Sequence, residues 1–241
     1  TGHATYVSRS VVLLHTALED VIQLWQEKKT IEGSLFHGVL GLAMSLAQLP
    51  QPSTAIVEFL AEVDRWSLQR LTKSEDKNFD LISGATAAAC YLLYRHLRQA
   101  VNNEFATLYL KRIRVLAHQD LDGFFFQHPA HPDGFVDAGV AHGSPGIINM
   151  LARLQLLLPT QENEKLLSET VRWLVTQIEQ LSSGALPHGF CARLQDPKAA
   201  ATWCYGNPGV SLSLALAAKA LGDTRVHGVA IDLGLAGMSV E

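Results

Sequence analysis

The sequence predicts an all-α fold made of repeated helix pairs, and three observations favour this prediction. Apolar residues recur at the spacing of one helical face, four related segments each precede an apolar stretch, and no stretch alternates with the period of a strand. The hydrophobic fraction of 48%, against 17% charged residues, is typical of a chain with many buried helices. We therefore expect strands to be rare and residues 1–241 to form a single domain around one continuous core.

Four segments of the chain resemble one another. Each places one residue directly before a glycine and then opens an apolar stretch. Their first glycines lie 46, 59 and 63 residues apart, close to the period of two-helix repeats that are lengthened by loops. The four motifs are SLFHGVLG at 34–41, DLISGATA at 80–87, VAHGSPG at 140–146 and WCYGNPG at 203–209.

The stretches after the last three motifs, at 85–97, 146–158 and 209–221, are apolar around nearly the whole helical circumference. Because such a helix must be covered on several sides, we interpret these as inner helices. Residues 56–66 and 167–181 carry apolar side chains on one face and charges on the other, which predicts outer helices. Alternating layers make an α/α barrel or toroid whose inner helices all begin at one end, so the motif loops should meet there and hold the functional residues.

Composition excludes some partners. The net charge of -4, the pI near 6.2 and the scattered Lys and Arg residues argue against a nucleic-acid partner. No run reaches the length of about 18 apolar residues that spans a bilayer, so we expect a soluble chain, with surface association with a membrane left open. The odd set of cysteines, Cys90, Cys191 and Cys204, indicates a reducing compartment, for which the cytoplasm is the default.

The residues beside the motif glycines are the candidates for chemistry. They are His37, Ser83, His142 and Tyr205, with Cys204 one position earlier. A helix N-terminus lowers the pKa of a nearby thiol, so Cys204 is a candidate thiolate, although a buried cysteine that acts as a small hydrophobe is the alternative. We expect His37 and Ser83 to be structural caps.

Other histidines suggest little. His188 and Cys191 lie close to Cys204 in sequence, but the segment between them has the composition of a solvent loop, so a local metal site there is not favoured. We interpret three further histidines as exposed loop residues and not as metal ligands: His128, His131 and His227.

Two of the motifs carry a family resemblance. The segments AHGSPG at 141–146 and WCYGNPG at 203–209 look like the two central motifs of the lanthionine synthetase C-like family, and the earlier motifs match its preceding repeats from about Ile31 onward. The resemblance implies a double ring of seven inner and seven outer helices. We therefore expect this chain to hold about four of seven repeats and to end before the Cys-His-Gly segment that carries further zinc ligands in the family.

The resemblance also implies a reaction. Members of the family bind one zinc ion, and the zinc-bound thiolate of a peptide cysteine adds to dehydroalanine or dehydrobutyrine to close a thioether ring. By position, Cys204 is assigned to zinc, His142 and Asp80 to acid–base or enolate handling, and Tyr205 to the wall of the site. A precursor peptide is the expected substrate and a dehydratase a further partner. Members of the family usually have an arginine four residues before the motif cysteine. This chain has Ala200 at that position, and its nearest cationic residues are Arg193 and Lys198.

Two other functions stay open. The absence of further ligands and the alanine at 200 fit a catalytically inactive scaffold that binds a peptide or a partner protein. The pair Asp80 and Asp137 would be the carboxylates of a glycoside-processing α/α barrel, although no aromatic sugar platform accompanies them.

Overall fold

The computed structural model of the chain describes residues 2–27, 32–129, 134–181, 186–190 and 202–238. In these residues the structure is dominated by helices, as predicted. The helices are α1 (Gly2–Gln26), α2 (Val39–Leu46), α3 (Thr54–Thr72), α4 (Ala85–Leu97), α5 (Glu104–Leu116), α6 (Ser144–Leu157), α7 (Gln161–Glu179), α8 (Asn207–Leu221) and α9 (Thr224–Met238). The strands are β1 (His118–Gln119), β2 (Phe124–Phe125), β3 (Val136–Asp137) and β4 (Gly189–Phe190).

Each motif opens an inner helix. The N-cap residue of α2, α4, α6 and α8 is the first glycine of a motif: Gly38, Gly84, Gly143 and Gly206. Gly206 has a φ of 110°, a conformation that side chains with a Cβ rarely adopt. The last two inner helices begin two residues earlier than the apolar pattern predicts, because the motif proline occupies the first helical turn, where its missing N–H costs nothing.

The predicted alternation of inner and outer helices is confirmed. Helix α4 contacts α2, α3, α5 and α6, and its first five residues, 85–89, are all buried. Outer helices bury one face only: in α3 it carries Ile56, Phe59, Leu60 and Val63. Ser53 caps α3 and Thr160 caps α7 by accepting backbone N–H groups of the first turn, which fixes where these outer helices begin.

Adjacent motif loops are joined to one another at one end of the inner helices. Backbone N–H groups of one loop donate to carbonyl oxygens of the next, so the four loops form a continuous row. The three hydrogen bonds run from Leu35 to Ile82 at 2.8 Å, from Leu81 to Ala141 at 3.0 Å and from Ala141 to Cys204 at 3.4 Å. The prediction that the motif loops meet is therefore confirmed.

The short strands position the loops outside the motifs. Strand β1 pairs antiparallel with β2, and β3 pairs antiparallel with β4. The second pair joins the segment before the third motif to the segment before the fourth, and the backbone N–H of Ala138 extends it by donating to the carbonyl of His188 at 2.9 Å. This pairing brings His188 beside the motif loops. None of the helices in the described part of the chain is long and apolar enough to cross a membrane.

Candidate functional site

A cavity of about 350 Å³ lies at the motif end of the inner helices. The third and fourth motifs each contribute one side chain to its wall, and the rest come from the loops that precede those motifs. Its lining residues are His128, Phe135, Asp137, His142, His188 and Tyr205. Polar and ionisable side chains therefore converge on one concavity, as in a binding or catalytic site.

A buried carboxylate holds the histidine of the third motif. Asp80 is 6% exposed, and its Oδ2 lies 2.8 Å from Nδ1 of His142. Its Oδ1 accepts the backbone N–H groups of Ser83 at 2.7 Å and Gly84 at 2.8 Å. Asp80 thus uses one oxygen to hold its own loop and the other to orient the imidazole of the next motif.

The Asp80–His142 pair is an ion pair in character. Burial raises the pKa of Asp80, but the hydrogen bond and charge of His142 and the two backbone N–H groups together lower that pKa below its usual value. The hydrogen bond to Asp80 is the main reason that the pKa of His142 is raised, against the opposing effect of burial. An imidazole with a raised pKa and an anionic partner is suited to hold and deliver a proton near neutral pH.

A second carboxyl group lies on the cavity wall. Asp137 is 4% exposed; its Oδ1 accepts the backbone N–H of Gly139 at 2.7 Å and its Oδ2 accepts the hydroxyl of Tyr205 at 3.0 Å. Burial raises the pKa of Asp137 more than these hydrogen bonds lower it. Burial and the charge of Asp137 raise the pKa of Tyr205, so the phenol stays protonated and donates.

The two pairs share the cavity. The ring of His142 lies between His128 and Tyr205, with centroid distances of 6.2 Å to each. The ring of Tyr205 lies 5.3 Å from that of His188, edge to face. The structure thus brings three residues singled out by the sequence, Asp80, His142 and Tyr205, into one connected group.

Cys204 is adjacent to this group but does not line the cavity. The residue is half-buried, with Sγ 3.5 Å from Oγ1 of Thr202, and its carbonyl oxygen accepts the backbone N–H of Ala141 in the third motif loop. Sulfur is a donor that suits zinc, but a zinc site in a protein takes three or four such donors. No group of three or more His, Cys, Asp or Glu residues in the described ranges could hold a metal. One donor does not amount to a zinc site.

Several residues weighed from the sequence lie outside the part of the chain that the structure describes. They are His131, Cys191, Arg193, Lys198 and Ala200.

The expected caps are not the capping residues. In the first motif, Ser34 Oγ accepts the backbone N–H groups of Phe36 and His37, at 3.1 and 3.4 Å, and in the second Asp80 has this role. His37 is exposed and pairs with Glu32 at 3.1 Å. The expectation for His37 and Ser83 is wrong because in both loops an earlier polar residue reaches the loop N–H groups.

Sequence reasoning missed part of the cavity wall. His128, expected to be an exposed loop residue, is half-buried and lines the cavity, whereas His227 is exposed on α9. His188, for which a local metal site was not favoured, lines the cavity as well, because the pairing of β3 with β4 brings its segment there. Asp137, named from the sequence only as a partner of Asp80 in a carboxylate pair, also lies on the wall.

Comparisons with known proteins give one family model and a similar fold. The family model described as "Lanthionine synthetase C-like protein" matches residues 2–234. Among solved structures, one described as "Nisin cyclase" superposes with a TM-score of 0.69 and 19% sequence identity, over 91% of this chain and 61% of that chain. No curated protein sequence matches the chain. The chain thus spans less than two thirds of the matched structure, and at this identity the likeness shows the fold, an α/α toroid.

Proposed function

The chain belongs to the lanthionine synthetase C-like family, and from this premise we propose that it is a lanthionine cyclase. It would close thioether rings in a precursor peptide whose serine or threonine residues have already been dehydrated. The observation that carries the proposal is the Asp80–His142 pair at the cavity. The loop that holds His142 is hydrogen-bonded to the loop that holds Cys204, through the backbone of Ala141.

The proposed reaction adds a thiol across a carbon–carbon double bond. The cysteine of the peptide loses its proton to solvent water, its sulfur forms a bond to the β-carbon of dehydroalanine or dehydrobutyrine, and the π electrons of the double bond move toward the carbonyl to give the enolate of that residue. A proton must then reach the α-carbon. Solvent later returns a proton to the acid that protonates the enolate. No atom enters or leaves, so the product is an isomer of the substrate.

His142 is the residue proposed to deliver that proton. Its raised pKa favours the protonated imidazole, and Asp80 fixes Nδ1, so that Nε2 is the nitrogen able to serve the substrate. Asp80 remains ionised throughout, because its pKa is lowered. Tyr205 forms the neighbouring wall of the cavity.

Cys204 is the one residue of the described chain that we propose as a zinc ligand. When bound, zinc would supply a peptide thiolate at neutral pH. Because a single sulfur donor does not make a site, no step above is routed through the metal.

The proposed partners follow from the chemistry. The peptide must carry dehydrated residues, so a dehydratase is proposed to act before this protein. A cytoplasmic location, inferred from the odd number of cysteines, is proposed with it.

A short synthetic peptide with a dehydroalanine four residues before a cysteine tests the proposal. Because closure leaves the mass unchanged, the measurement is loss of thiol alkylation, followed by mass spectrometry, with the protein-free background subtracted. We expect closure with the wild-type protein and with His227→Asn, since that histidine is exposed on α9. The variant His142→Asn should be slower by about 100-fold to 10000-fold, the usual range for a general acid.

The second candidate is a catalytically inactive scaffold that binds a peptide. It is favoured by the lack of a metal-ligand group among residues 2–27, 32–129, 134–181, 186–190 and 202–238. If the wild-type protein binds the synthetic peptide, measured by fluorescence anisotropy, but closes it no faster than background, this second function replaces the first.

A further inference from the structure

We propose that Asp137 is a positioning residue, which clamps the fourth motif loop against the third and so holds the ring of Tyr205 in place beside His142. The inference rests on the proposed function, because the group it positions is the proposed site. It adds a residue that the motifs do not assign to that site.

The contacts of Asp137 join two loops. Oδ1 accepts the backbone N–H of Gly139, in the loop that leads to His142, at 2.7 Å. Oδ2 accepts the hydroxyl of Tyr205, 68 residues further along the chain, at 3.0 Å. Each oxygen of Asp137 thus accepts a hydrogen bond from a different one of the two loops.

The two loops touch where this clamp lies. A Cβ built on Gly139 would collide with the carbonyl of Cys204 and would lie 2.8 Å from Cδ1 of Tyr205. The backbone hydrogen bond between these loops, from Ala141 to Cys204, is long at 3.4 Å. Of the two bonds of Asp137, the one to Tyr205 crosses between the loops, and at 3.0 Å it is shorter than that backbone bond. The bond to Gly139 fixes the carboxyl group within its own loop.

What the clamp holds is a wall of the cavity. The ring of Tyr205 lies between His142, at 6.2 Å, and His188, at 5.3 Å. Its hydroxyl donates to Asp137, so swinging the side chain about the Cα–Cβ bond breaks a part-buried hydrogen bond. A displaced ring would change the space in which the dehydrated residue must meet the imidazole.

The same arrangement occurs at Asp80, which supports the interpretation. There too Oδ1 accepts backbone N–H groups of its own loop, and Oδ2 binds a side chain of the next motif, His142. The chain thus uses a buried aspartate twice to tie one motif loop to the next.

Three single variants test the clamp: Asp137→Ala, Asp137→Asn and Tyr205→Phe. A double variant combines Asp137→Ala with Tyr205→Phe. Asp137→Ala should lower kcat for closure of the synthetic peptide by about 10-fold to 100-fold, as expected for a misplaced group, with KM changed less than about threefold. Asp137→Asn should recover most of the rate, because its amide can bond both Gly139 and Tyr205. Relative to the wild type, the double variant should lose less rate than the product of the two single losses, because both substitutions break the same contact.

A matched control is Asp120→Asn. Asp120 has the same pattern of contacts, with Oδ1 accepting from Gly123 at 3.1 Å and Oδ2 from Nε1 of Trp173 at 3.0 Å, but it lies outside the cavity lining. Its variant should close the peptide at the wild-type rate. A wild-type rate for Asp137→Ala, no recovery in Asp137→Asn, or fully multiplicative effects in the double variant would each overturn the proposal.

A second measurement does not depend on activity. If the wild-type protein fails to close the peptide, the proposed function fails, and thermal unfolding of the same variants still decides the clamp. The double variant should then melt no lower than the less stable of its two single variants. Additive losses of melting temperature would overturn the clamp. If Asp137→Ala does not fold, the comparison is made with Asp137→Asn and Tyr205→Phe.

Discussion

Asp80 and Asp137 are two buried carboxyl groups with the same contact pattern and opposite shifts in pKa. The pKa of Asp80 is lowered and that of Asp137 is raised. Burial opposes ionisation in both, so the difference comes from the donors. Asp80 faces an imidazole that can carry a charge, whereas Asp137 faces a neutral phenol and one backbone N–H.

The comparison divides the site into two sides. On the Asp80 side, the hydrogen bond and charge of Asp80 stabilise the protonated form of His142. The Asp137 side keeps the ring of Tyr205 in position, because a phenol with a raised pKa stays protonated and continues to donate its hydrogen bond to Asp137. Carboxyl groups whose environments push their pKa values apart are a common basis for distinct roles in one site.

The largest expected effect is on the Asp80 side. Asp80→Asn weakens the hydrogen bond and removes the charge that together raise the pKa of His142, so we expect closure of the synthetic peptide to slow by about 100-fold or more at neutral pH. The loss of rate with rising pH, which reports deprotonation of His142, should also move to lower pH. A pH–rate profile from pH 5 to 9 measures both, and an unmoved profile would contradict the assignment of His142 as proton donor.

The next effect is on the Asp137 side. Gly139→Ala places a methyl group against the carbonyl of Cys204 and the ring of Tyr205, and should lower the rate by about 10-fold. Because it does not touch Asp80, the pH at which the rate falls should stay where it is in the wild type. Gly228→Ala is the control, since a Cβ at that position meets nothing within 4 Å. A shifted pH profile in Gly139→Ala would show that the two sides are not separate.

The smallest effects are on stability, and they should have opposite signs. The lowered pKa of Asp80 contributes stability above the unfolded value of 3.8, which is lost as the pH falls through the folded pKa. Asp80→Asn should therefore reduce the melting temperature at pH 7 by a few degrees, and by less at pH 3.

For Asp137 the sign reverses. Its raised pKa makes ionisation cost stability as the pH rises from 3.8 through the folded pKa. Relative to the wild type, Asp137→Asn should therefore gain melting temperature between pH 3 and pH 7. Thermal unfolding monitored by circular dichroism at both pH values checks the two variants together, and a common sign would remove the contrast between the carboxyl groups.

Most of the helical fold was predictable, because its signals are local. Helix α4 was predicted with its observed bounds, and α6 and α8 within two residues at their N-termini. The row of motif loops followed from the repeat, since equivalent helices that pack side by side begin at the same end. The family, too, was recognisable from the third and fourth motifs.

The cavity was only partly predictable. Asp80, His142 and Tyr205 lie in motifs, so the repeat places them together. His128 and His188 lie in loops, and pairing of β3 with β4 brings His188 to the wall. Such pairing joins residues more than 50 positions apart, and strands of two residues leave no periodic pattern in a sequence.

The sequence by itself determined the inner helices after the motifs, two of the outer helices and the end at which the motif residues collect, because apolar periodicity and the glycine and proline positions act within a few residues. Only the tertiary structure decided which side chains share the cavity and in which direction the pKa of each carboxyl group is shifted. The reason is physical: burial and the identity of the donor set a pKa, and both depend on neighbours that are distant in the chain, as His142 is for Asp80 and Tyr205 is for Asp137.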